Sequence, residues 1–228
     1  MPYRTLKSEI SARFSEAYNI LNIIRANENS VIPPATEKID HKILKGLFYI
    51  SLYASIEYSF EQLSIKTLSL IKGKNITFNH FENKFLTVAL SSSLQSIRDC
   101  NPKYFLDKTA DLFLLTESSD VSNINETFIN KYLQNIWGKS FNQLTKTLGI
   151  TPFSITPREI FIFDEIVDNR NIVAHGRELA QTIGSSPKYR DLKSKYDVVF
   201  DVIDRYINHF ETYYNNKEFI KTASRAIY

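Results

Sequence analysis

Apolar residues recur every three or four positions along most of the 228-residue chain, the period of a helix with one buried face. Ile10, Phe14, Tyr18, Leu21 and Ile24 predict a helix over about 4–25. The stretch ANENSVIPPAT at 26–36 closes it, because Asn and Ser compete for backbone hydrogen bonds and the Pro33-Pro34 pair removes donors. A longer helix is expected over about 38–72, where Leu44, Leu47, Phe48, Leu52, Ile56, Phe60 and Leu63 keep one face apolar for five turns. The middle of the chain is less regular. GKNITFNH reads as a connection, FENKFLTVAL as a short helix, SSSLQSIRDCNPK as a polar break, YFLDKTADLFLL as an amphipathic helix and TESSDVSNIN as a surface loop. Phe128, Ile129, Leu133, Ile136, Trp137, Phe141 and Leu144 predict a further helix over 126–147, stopped at Gly149.

The segment ITPREIFIFDEIVDNRNIVAHG at 155–176 is the best defined. Thr156 and Glu159 have the spacing of a capping box, with Pro157 at the first helical position, and Gly176 marks the end. Ile162, Phe163, Ile166, Val167, Val173 and Ala174 are expected to be its buried side. A last helix over 189–213 carries Val198, Val199, Val202, Ile203, Tyr206 and Phe210. No repeat or biased linker divides the chain, so the expectation is an all-α bundle in one domain over 1–228.

Composition narrows the class. With 43% hydrophobic residues, six Gly and seven Pro, the chain is neither disordered nor fibrous, and a turn-rich β fold is disfavoured. No apolar run approaches the roughly 18 residues of a membrane span. The polar start MPYRTLKSEISARF lacks the apolar stretch of a signal peptide, and the lone Cys100 has no partner for an internal disulfide, so a cytoplasmic location is expected.

The net charge of +3 is too small to announce a nucleic-acid binder, but its distribution is uneven. Five basic residues (Arg177, Lys188, Arg190, Lys193 and Lys195) face two acids within 177–195, whereas 103–126 holds two basic residues against five acids.

Candidate chemistry lies just before the basic segment. Arg170 has Ile166, Val167, Val173 and Ala174 at three- and four-residue spacing, so its guanidinium emerges from an apolar surface and implies a groove or an interface. Asn171 and His175 are four apart and share a face. An arginine for phosphate, an amide and an imidazole active near neutral pH form a set suited to phosphodiester chemistry without metal. Arg170 paired with Asp164 or Asp168, with His175 as a simple helix cap, is the structural alternative. His41, His80 and His209 sit in contexts that favour structural roles. No zinc spacing, glycine-rich phosphate loop or nucleophile elbow is present, so no cofactor or metal is expected.

The run Arg170-Asn171-Ile172-Val173-Ala174-His175, followed by Gly176, resembles the signature of the HEPN superfamily. LKGLFYISLYASIEYSFEQL at 44–63 is similar to the first core helix of the HEPN branch found with RNA ligase and phosphatase repair genes and in bacterial defence systems. The resemblance implies an α-helical bundle forming a homodimer, with Arg170 and His175 of both copies lining one cleft, and metal-independent cleavage of RNA. It implies a toxin or defence role restrained by an antitoxin or other regulatory protein, and it equally admits a catalytically silent scaffold. On the second helix Tyr49, Tyr53, Glu57 and Glu61 follow at spacings of four, on a face read as separate from the core stripe. Tyr53 and Glu57 are expected nearest the site, with an acid there positioning Arg170 or His175. GRELAQTIGSSPKYRDLKSK at 176–195 is read as the RNA-facing loop, with Arg177, Lys188, Arg190 and Lys193 as phosphate contacts.

Overall fold

The computed structural model describes residues 2–30 and 37–228. Nine α-helices follow one another among them: α1 (Arg4–Asn29), α2 (Ile39–Lys72), α3 (Leu86–Ala89), α4 (Ser91–Arg98), α5 (Phe105–Thr116), α6 (Ser140–Leu148), α7 (Pro157–Ala174), α8 (Ala180–Ile183) and α9 (Tyr189–Asn215). The all-α expectation holds. Among the described residues no sheet forms, and strand-like pairing is confined to the isolated bridges Thr77–Val121 and Phe81–Ile220. No described helix is long and apolar enough to cross a membrane.

Helix α2 is the axis of the bundle, because α1, α7, α8 and α9 all pack against it. Its buried positions therefore come in adjacent pairs, Phe48-Tyr49, Leu52-Tyr53, Ser55-Ile56 and Ser59-Phe60, and exceed a single stripe. This corrects two expectations. Tyr49 and Tyr53 do not lie on a face apart from the core but are buried within it, and Leu47, expected inside, is exposed. The serines fit the crowded axis by satisfying themselves: Ser59 Oγ donates to the Ser55 carbonyl at 2.6 Å and Ser55 Oγ to that of Ser51 at 3.1 Å.

An aromatic cluster fills the space between α2, α6, α7 and α9. Phe60 stacks on Tyr206 at 5.1 Å, and Phe141 meets Phe60 and Phe163 edge-on at 4.7 and 4.9 Å. The buried Tyr206 and Tyr213 hydroxyls donate to the carbonyls of Phe141 and Leu148 at 2.8 and 2.6 Å, so burial of these rings leaves no polar atom stranded. Burial holds both phenols well above their ordinary pKa.

The helix expected over 126–147 is not continuous. A short 3-10 turn at Asn130–Tyr132 is followed by irregular chain up to α6. Asn135 has a φ of 53°, outside the helical region. The freed amides find side-chain acceptors instead: Ile136 N–H donates to the Tyr53 hydroxyl at 3.1 Å and Gly138 N–H to the Asp164 carboxylate at 2.7 Å. Gly138 lies so close to α7 that a Cβ there would come within 2.8 Å of Ile160 Cα. Further upstream, the expected polar break at 91–103 contains α4, and the short helix expected over 81–90 is only the four residues of α3.

Two other features fix the end of the bundle near the start of α9. Lys45, nearly fully buried, is 2.8 Å from Glu28 and 2.9 Å from Glu37, and Glu28 also accepts the Tyr189 backbone N–H at 2.7 Å. Burial works against the charge on Lys45, but hydrogen bonds and charge from the two glutamates outweigh it and raise its pKa. Alongside, α8 lies directly on α2. A Cβ on Gly46 would sit 2.1 Å from the Ala180 carbonyl oxygen, and one on Gly184 1.8 Å from that of Lys42.

Candidate active site

Helix α7 begins where the sequence places it. Thr156 Oγ1 accepts the Glu159 N–H at 3.3 Å and Glu159 accepts the Thr156 N–H at 2.7 Å, closing the capping box behind Pro157. Glu159 also pairs with Arg205 of α9, and nearly two turns further Glu165 pairs with Lys195 at 2.9 Å. Ile162, Phe163, Ile166 and Val167 are buried, as expected. Val173 and Ala174 depart from expectation: Val173 is half-buried and Ala174, the last residue of α7, is exposed. The helix ends in paired bonds, Gly176 N–H to Val173 and Arg177 N–H to Ile172, with Gly176 at a φ of 65°. That is the closure a glycine permits at a helix end.

Arg170 and Asn171 are half-buried in the last turns of α7, and His175 is exposed at its end. Arg170 Nη1 donates to Asn171 Oδ1 at 2.8 Å, and its guanidinium carbon lies 4.5 Å above the centre of the Tyr53 ring. Neither acid of the structural alternative holds it. Asp164 is engaged by Gly138 N–H, and Asp168 is exposed and forms no ion pair with Arg170. A guanidinium on an aromatic face keeps free N–H donors, so Arg170 retains the capacity to grip a phosphate. His175 caps α7, and its imidazole is exposed.

Of the supporting pair, Tyr53 is the platform under Arg170. Its phenol pKa is raised, by burial first and also by the Glu57 carboxylate, against the opposing Ile136 N–H bond and the Arg170 charge. Glu57 is half-buried one turn along α2 and makes no ion pair with Arg170 or His175. It lines a cavity of about 320 Å³ with Arg13, Ser51, Ser55, Tyr58 and Glu61. Glu61 accepts from Asn130 Nδ2 at 3.0 Å.

The segment after His175 is not an open loop. Residues 180–183 form α8, pinned on α2 through Gly46 and Gly184. Arg177, Lys188 and Arg190 are exposed on either side of it and form no ion pair among the described residues. Lys193 differs from expectation, since Asp197 holds it at 2.6 Å and it lies over the Tyr18 ring. Two of the other histidines sit in structural settings: His209 Nε2 donates to the Thr151 carbonyl at 2.9 Å, and His80 Nδ1 bonds the Tyr228 hydroxyl at 2.9 Å, whereas His41 Nδ1 is buried with no hydrogen-bond partner among the described residues. Asp164 and Gly138, which fasten the chain beside Tyr53, are not marked by any sequence motif, although a glycine after Trp137 signals a break. Among the described residues no three His, Cys, Asp or Glu side chains converge as a metal site requires.

A family model described as RiboL-PSP-HEPN matches residues 14–212. No curated protein and no solved structure gives a significant match.

Proposed function

Because the chain belongs to the RiboL-PSP-HEPN family, we propose that it is an endoribonuclease that cleaves RNA without a metal, at a cleft between two copies. The observation that carries this reading is the grouping at the end of α7: Arg170 bonded to Asn171 and seated on Tyr53, with His175 exposed beyond them. An imidazole takes the proton of a ribose 2′-hydroxyl, whose oxygen then attacks the adjacent phosphorus. The bond to the 5′-oxygen breaks, and that oxygen receives a proton from a second, protonated imidazole, leaving a 2′,3′-cyclic phosphate and a 5′-hydroxyl. One His175 from each copy supplies the two roles. Arg170 neutralises charge building on the non-bridging oxygens, and Asn171 keeps the guanidinium turned toward them.

Arg177, Lys188 and Arg190, exposed and unpaired, supply contacts to the RNA backbone. Within a cell such an activity belongs with a toxin or defence protein in the cytoplasm, held in check by a regulatory partner. The decisive experiment incubates purified protein with RNA in EDTA. Cyclic-phosphate products from the wild type, absent with His175→Ala and Arg170→Ala, are the expected result. Equal cleavage by the variants overturns the assignment. A strictly monomeric mass by light scattering at micromolar concentration overturns the composite cleft.

A further inference from the structure

Helix α5 buries none of its residues. Leu106, Phe113 and Leu114 are 76%, 67% and 72% exposed, and with Ala110 they fall at i, i+4, i+7 and i+8, which puts all four on one face. The inner residues Leu112 and Leu115 turn toward α4, and with Ser93, Ser96, Ile97, Lys108 and Asp111 they line a furrow of about 190 Å³ between the two helices. An apolar stripe beside a furrow is the form that receives a helix from another chain, since large exposed apolar patches are uncommon on surfaces facing only water.

Charge selects the occupant. Asp107, Asp111 and Glu117 are exposed and form no ion pair among the described residues. Of the nearby cations, Lys108 is turned inward, its Nζ donating to Ser96 Oγ at 2.7 Å, Arg98 is paired with Asp99 at 3.0 Å, and Lys103 is exposed over the Tyr104 ring, so acids outnumber free cations on this face. Two copies of α5 face to face would bring their aspartates together, and the same acids repel RNA and anionic lipid. We infer that the outer surface of the α4–α5 hairpin docks a helical segment of a protein partner that carries an apolar stripe flanked by Lys or Arg. This surface is separate from the α7 site and does not depend on the nuclease reading.

The test uses two fluorescein-labelled 18-residue peptides with leucines at helical spacing, one flanked by Lys and one by Glu, titrated with the full chain by anisotropy. Saturable binding of the Lys peptide is expected. It should weaken at least tenfold for Leu106→Ser/Phe113→Ser/Leu114→Ser and at least threefold for Asp107→Asn/Asp111→Asn, while His175→Ala binds as the wild type does. These positions are exposed, so unchanged circular dichroism should accompany the losses. Equal binding by the triple variant, or equal binding of the Glu peptide, overturns the inference. So does a self-association abolished by the triple substitution, which assigns the face to a second copy, or capture by phosphatidylserine vesicles that the triple variant loses, which assigns it to a membrane.

Discussion

Replacing Tyr53 separates what its ring does from what its hydroxyl does. In Tyr53→Phe the ring stays beneath Arg170, but Ile136 N–H, which the hydroxyl accepts at 3.1 Å in a buried setting, loses its acceptor. A stranded buried donor costs about 1–3 kcal/mol. At about 2–4 °C per kcal/mol for a chain of this size, the melting temperature should fall by about 2–12 °C. RNA cleavage should stay within about threefold of wild type, a barrier change below about 0.6 kcal/mol. Tyr53→Leu removes the aromatic face as well. A half-buried guanidinium–ring contact of about 1–2 kcal/mol is then lost, so single-turnover cleavage of a fluorogenic RNA should slow by about five- to thirtyfold. Thermal unfolding by circular dichroism is read on the same samples. A folded Tyr53→Phe protein that has lost cleavage more than tenfold would refute the assignment of the hydroxyl to structure, and undiminished cleavage by Tyr53→Leu would refute the platform.

Gly184→Ala would place a carbon 1.8 Å from the Lys42 carbonyl oxygen, a backbone atom that cannot swing aside. The urea midpoint should drop by the equivalent of about 1–3 kcal/mol as α8 lifts from α2, and an unchanged midpoint would contradict that contact. Lys45→Met leaves Glu28 and Glu37 facing each other without their cation. A loss of about 3–5 kcal/mol is expected, partly restored by adding Glu28→Gln and Glu37→Gln; a triple variant no more stable than Lys45→Met argues against the pair. Alkaline pH gives a fourth outcome. Lys45 has a raised pKa, Tyr196 is pushed up to about 12 by burial, and Tyr206 and Tyr213 lie well above their ordinary value. Each group holds its proton more tightly folded than unfolded. The stability they confer is complete below the unfolded value of about 10 and lost as pH rises through the folded ones. Tyrosinate absorbance at 295 nm should therefore rise together with helix loss above about pH 10; ionisation of all thirteen tyrosines near pH 10 with the helices intact would contradict this.

What the sequence disclosed was local. The capping box of Thr156 and Glu159, the stop at Gly176 and the bounds of the four long helices follow from residues a few positions apart, and the structure keeps them to within a few residues. What it concealed was set by distant neighbours. Ile136 and Trp137 carry a helical period, yet the chain there is held irregular by Tyr53 from α2 and Asp164 from α7, and neither contact has a local signal. The same cause explains Tyr49 and Tyr53. A period distinguishes one apolar stripe from a polar face, but α2 is surrounded by four helices, so a second set of positions is also buried. At the candidate site the order Arg170, Asn171, His175 was readable, and so was the nearness of Tyr53. The docking of α8 was not, since it depends on the distant backbone of α2, whereas the pairing of Lys193 with Asp197 four residues on is a local spacing that the sequence did offer.

Val167 is the last fully buried residue of α7, and the residues that follow it are half-buried or exposed. The proposed chemistry and the buried packing thus belong to different parts of one helix. Under the proposed function, a change at His175 would remove an exposed imidazole and leave the packed interior intact, so a stable protein without the cleavage would be a single substitution away. On that reading, selection could move a lineage between enzyme and scaffold at this position while the rest of the sequence stands still.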